Sequence, residues 1–167
     1  MKININGILL LAAIAGVFTF FWLVPGDGLQ AAPKVEMTTI DGRKIDLKEL
    51  YGKPYMVVFW ATDCPGCVKE IPHLNTLYDD FSKQGFQVIA IAMPHDELPL
   101  IRTMREQKAM SYEIVFDEDG TLAKAFGGVS LTPTNFLISP KSKIALQKIG
   151  EFDVDKMHQM ISDMLKS

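Results

Sequence analysis

Cysteine is scarce in this chain: 167 residues contain two, Cys64 and Cys67. So few exclude a disulfide-framed scaffold, and a bridge closing so short a loop adds little chain-entropy stabilisation. Their use is therefore chemical. There is no second Cys-x-x-Cys and no His-x-x-x-His, and His73, His95 and His158 are scattered. That spacing offers no zinc site, so no metal ligand is expected. An excess of basic charge is also missing. The net charge is −3, which argues against a broad nucleic-acid-binding face. Internal repeats and low-complexity stretches are absent.

Charge is missing altogether between Lys2 and Asp27. Within that interval Ile8 to Val24 is an unbroken apolar run, with one Thr and one Gly. At about 1.5 Å per residue such a run nearly spans a bilayer core. Trp22 lies near one end, where an interfacial aromatic belongs. A cleavable signal peptide is the rival reading. The run exceeds the usual apolar region of about 7–15 residues, and no clean small-x-small site closes it. The expectation is an N-terminal membrane anchor over residues 1–24, a tether over 25–34 and one domain over 35–167. The positive N-terminal flank places that domain outside the cytoplasmic membrane.

After the tether, Val35–Ile40, Asp41-Gly42 and Arg43–Leu47 read as a β-hairpin with a type I′ turn. Tyr55 to Ala61 reads as a buried strand. A helix follows to about Lys83, with Ile71, Leu74, Leu77, Tyr78 and Phe81 at helical spacing. Phe86–Met93 is a second buried strand, Leu98–Met110 a helix, Ser111–Phe116 a short strand and Thr121–Phe126 a short helix. Thr134–Ser139 and Ile144–Gly150 then form a strand pair before a helix over Val154–Lys166. The order describes an α/β fold with helices on both faces of one sheet. Met157, Met160, Ile161 and Met164 fall on one helical face, a core stripe rather than a metal-binding box.

The cysteine pair falls at a strand-to-helix junction, Phe59-Trp60-Ala61-Thr62-Asp63-Cys64-Pro65-Gly66-Cys67. A helix N-terminus stabilises a thiolate through free N–H groups and the helix dipole. Cys64 is thus the candidate nucleophile, and Cys67, one turn on, the buried resolving thiol. Asp63 is either an N-terminal cap or a charge that opposes thiolate formation. Glu70 follows Cys67 by three and, taken alone, is a solvated helix charge.

The motif Cys64-x-x-Cys67-x-x-Glu70-x-Pro72, with Gly128-Val129-x-x-x-Pro133-Thr134-x-Phe136-Leu137-Ile138, resembles the TlpA/ResA/DsbE-type thiol–disulfide oxidoreductases of bacteria. The resemblance covers about residues 35–165. It implies a thioredoxin fold with an N-terminal hairpin and a central strand–helix insertion. It implies proton transfer by Glu70 at the cysteines, a cis-proline at Pro133 facing them, and substrate contact through the backbone of Thr132. Trp60 then packs beside the site, as a substrate-side or a plain core residue. Further implied are disulfide-containing protein substrates, a membrane electron donor of the DsbD/CcdA kind, and a periplasmic domain on the bacterial inner membrane. Substrates of the resembling proteins are apocytochrome c and copper-site proteins. No cofactor is implied, since the dithiol is the redox centre. Two departures stand out: Asp63 replaces the usual Trp, and Val58 replaces the buried Asp of thioredoxins. A copper metallochaperone of the Sco type needs three residues between its cysteines, and this chain has two. A thiol peroxidase needs Pro-x-x-x-Thr-x-x-Cys, and here those positions hold Val57 and Ala61.

Overall fold

The computed structural model describes residues 30–166. The expected anchor and the first half of the expected tether, residues 25–29, lie outside the described residues. Among the described residues no helix is long and apolar enough to cross a membrane.

Strands β1 (Glu36–Thr38) and β2 (Lys44–Asp46) form the N-terminal hairpin. Its turn is not type I′. Gly42 alone has a positive φ, +84°, and Asp41 does not. The amide of Gly42 donates to Thr39 O, and that of Thr39 to Arg43 O. This is a type I turn closed by a left-handed glycine, the three-residue alternative for such a hairpin. Thr39 Oγ1 also accepts from Arg43 N at 3.1 Å, which ties the two ends of the loop.

A five-stranded sheet follows, in the order β5-β4-β3-β6-β7. Its members are β3 (Tyr55–Trp60), β4 (Gln87–Ala92), β5 (Glu113–Phe116), β6 (Thr134–Ile138) and β7 (Ile144–Ile149). The first three run parallel; β6 and β7 are antiparallel to their neighbours. Every residue of β3 is buried, as a central strand covered on both faces requires. Its alternating side chains divide the core. Met56, Val58 and Trp60 face helices α1 (Pro65–Phe81), α2 (Leu98–Gln107) and α4 (Val154–Lys166). Tyr55, Val57 and Phe59 face the hairpin and the short helix α3 (Thr121–Ala125). In α4 the Met157 and Ile161 side chains are buried, with Met160 and Met164 packed beside them.

Both sheet edges are covered. Thr39 bridges to Val115 on β5, and Ala31 to Lys143 before β7. Residues 30–32, assigned above to the tether, are thus bound to the domain: Ile144 N donates to Gln30 O at 2.8 Å and Ala32 N to Ser142 O at 2.9 Å. Covering an edge strand removes a template for unwanted strand pairing.

Candidate active site

The loop after β3 carries the dithiol. Cys64 is the N-cap of α1, with extended φ/ψ of −95° and 107°. Its Sγ accepts from Cys67 N at 3.2 Å. Asp63 is therefore not the cap; its carboxylate is exposed and lies 3.5 Å from His95 Nε2. Pro65 begins the helix, where its missing N–H costs nothing. Cys64 and Cys67 are joined as a disulfide, their Cα atoms 5.3 Å apart. Cys64 is partly exposed and Cys67 is 2 % exposed. The asymmetry follows from helix geometry: the N-cap stands at the loop, while the residue one turn on faces the sheet.

A carboxylate bridge holds that loop in place. Asp96, in the loop after β4, accepts from Thr62 N and Thr62 Oγ1, each at 2.7 Å, and from Glu97 N at 2.8 Å. Met93 N also donates to Trp60 O. Asp96→Ala removes three acceptor contacts beside Cys64. It is expected to lower stability by about 1–3 kcal/mol, read as a lower urea midpoint at unchanged m-value. An unchanged midpoint would show that the loop is held by the backbone alone.

Glu70 is only 2 % exposed, so it is not a solvated helix charge. Asn135 Nδ2 donates to both of its oxygens, at 3.0 and 3.1 Å, and Phe152 N donates to Oε1 at 3.1 Å. Burial pushes its pKa up to about 7, against the lowering effect of the Phe152 and Asn135 hydrogen bonds, with Glu151 adding a smaller rise. Asn135 stands directly across the β3–β6 ladder from Val58. The position that is an acid in thioredoxins is thus apolar here, and the neighbouring strand supplies a polar group that holds an acid from α1. Sequence reasoning missed Asn135; its signal is a lone amide in an otherwise apolar strand, Thr134-Asn135-Phe136-Leu137-Ile138.

Pro133 is cis, after Thr132. Its ring faces the spacer between the cysteines: a Cβ placed on Gly66 would lie 3.5 Å from Pro133 Cδ. Pro133 O is engaged by Gly150 N at 2.8 Å. Neither the N–H nor the C=O of Thr132 has a backbone partner among the described residues. Trp60, by contrast, is 2 % exposed and packs in the core cluster that contains Cys67. It is a core residue beneath the site, not a substrate-facing surface. The reason is register, since the last residue of β3 points to the α1 face. Of the histidines, His95 lies by Asp63 and His158 by Asp80. Among the described residues no three His, Cys, Asp or Glu side chains group to hold a metal.

The family model AhpC/TSA matches residues 29–147. This chain belongs to the AhpC/TSA family. A thiol–disulfide oxidoreductase ResA of Bacillus thuringiensis strain Al Hakam is 32% identical over 120 residues, 72% of this chain and 68% of that protein. The ResA of Bacillus subtilis strain 168 is 28% identical over 131 residues, 78% of this chain and 72% of the relative. A thioredoxin-family thiol:disulfide interchange protein from Chlorobium tepidum superposes with a TM-score of 0.75. It is 26% identical, over 82% of this chain and 97% of that one. This AhpC/TSA member is a thiol–disulfide oxidoreductase of the ResA/DsbE type, and its chemistry implies disulfide-containing protein substrates.

Proposed function

We propose that this oxidoreductase works as a reductase, donating electrons from the Cys64–Cys67 dithiol to disulfides of partner proteins outside the cytoplasmic membrane. The family resemblance supports the direction; the observation that supports dithiol exchange at this site most is the buried Glu70, three residues beyond Cys67 on α1 and with a pKa of about 7. Reduction of a substrate begins when the Cys64 thiolate attacks one substrate sulfur and the other leaves as a thiolate. Cys67 must then lose its proton to attack Cys64 and release the second substrate thiol. A base with a pKa near neutrality, sheltered from water one turn away, is suited to hold that proton. Among the described residues Glu70 Oε2 accepts only from Asn135. Thr132, Pro133 and the partly exposed Cys64 form the face on which an extended substrate segment adds as a strand.

The apolar run Ile8–Val24 anchors the chain in this reading, with the domain on the periplasmic or equivalent side. A membrane donor of the DsbD/CcdA kind resupplies electrons, and apocytochrome c or copper-site proteins are the substrates. The family resemblance supports both.

Equilibration of the protein in graded thiol buffers, read by mass after alkylation, tests the direction. A potential below roughly −230 mV is expected. A value above roughly −180 mV would make the dithiol an oxidant or isomerase.

A further inference from the structure

A cavity of about 360 Å³ lies where the described chain begins. Residues 31–34 form one wall, the 3₁₀ turn Leu47–Leu50 a second and the β6–β7 turn a third. Its lining includes Lys34, Lys48, Lys141 and Lys143 and no carboxylate. Asp46 lies 3.6 Å from Lys48, whereas Lys34, Lys141 and Lys143 have no ion-pair partner among the described residues. Glu49, exposed on the same 3₁₀ turn, offsets part of the charge. Tyr51, 69 % exposed, stands at the rim. In a chain of net charge −3 this is a local basic surface with an apolar floor and a projecting aromatic. That composition is suited to a lipid headgroup region.

Chain length points to the same occupant. Five residues separate Val24, the end of the apolar run, from Gln30, whose carbonyl is bonded to Ile144 N. Fully extended they reach about 20 Å at most, so whatever holds the run holds this pole close by. We infer that this lysine-lined pole docks on an anionic phospholipid bilayer and turns the dithiol away from it. The orientation follows from β3, which starts at the cavity with Tyr55 and ends at Trp60, four residues before Cys64. Its six residues carry the site on the order of 17 Å from the surface. Substrates therefore reach Cys64 from the aqueous side.

The inference rests on the anchor reading, and the test separates the two. The full chain is placed in nanodiscs of phosphatidylcholine with and without phosphatidylglycerol, and amide exchange is followed by mass spectrometry. Exchange in residues 47–55 and 139–144 is expected to slow at least fivefold in the anionic discs. About 1 M salt or Lys141→Glu with Lys143→Glu should abolish that slowing, while turnover of a soluble disulfide stays unchanged. Equal exchange in both discs would overturn the docking and leave the anchor standing. A chain that enters neither disc overturns the anchor. Flotation with vesicles of the same two compositions then decides the docking: binding that needs the anionic lipid and weakens about fivefold per reversed lysine sustains it, and no binding ends it.

Discussion

Cys67→Ser is expected to arrest the reaction at a mixed disulfide between Cys64 and the substrate. Cys64 stands at the mouth of the site as the N-cap, and Cys67 is 2 % exposed behind it. An incoming substrate sulfur therefore meets Cys64. Without the second thiol nothing carries the adduct forward; only the substrate's own released thiolate can displace Cys64, which returns the starting disulfide, so turnover falls to the uncatalysed rate. Serine is close to cysteine in volume, so the domain should remain folded. Its buried hydroxyl costs about 1–3 kcal/mol if it finds no partner. Intact mass under non-reducing conditions reads the adduct directly. Cys64→Ser should give none. Comparable adducts from both variants would mean that either sulfur is attacked, and the division of roles between nucleophile and resolving thiol would fail.

The second large effect is expected from Glu70→Gln, which keeps the shape and removes the charge. Glu70 has a folded pKa of about 7 against an ordinary value of 4.5. Between those two values the folded protein binds more protons than the unfolded chain, so stability falls as pH rises through that window and levels off above about 7. The full drop is roughly 3 kcal/mol. The Glu70→Gln variant should lack it: its urea midpoint should be flat in this window where the parent's declines. Turnover should fall about a hundredfold near neutral pH, and the pH–rate step near 7 should disappear with the carboxyl group. A variant with the parent's pH–rate profile would make Glu70 a structural acid and leave proton transfer to solvent.

Much of the site is legible in the sequence because it is local. The three-residue step from Cys64 to Cys67, after an apolar run and before a helical pattern, already places one thiol at a helix N-terminus and the other one turn in. Strand and helix order is equally legible, since β3 and β4 are near-continuous apolar runs and α1 keeps a helical period. Where local reading fails, neighbouring side chains intervene. The hairpin loop takes in Ile40 as well as the Asp41-Gly42 pair, with Thr39 Oγ1 bonded across it to Arg43 N. The helix cap is Cys64 rather than Asp63, because the sulfur reaches Cys67 N. Trp60 belongs to the core because strand register, not its nearness to Cys64, directs its side chain.

The reaction class is readable from residue order: a dithiol at a strand–helix junction, set in the longer Cys64-to-Pro72 and Gly128-to-Ile138 motifs, points to thiol–disulfide exchange. Tertiary structure decided the acid–base character of the site. Glu70 becomes a group that titrates near neutrality because the fold buries it, and the hydrogen bonds from Asn135, 65 residues away, and Phe152, 82 residues away, offset that only in part. Desolvation depends on packing between distant segments, and periodicity and spacing report only on near ones. The same holds for the Asp96 bridge to Thr62, 34 residues distant, and for the lysine-lined pole assembled from three separate stretches of chain.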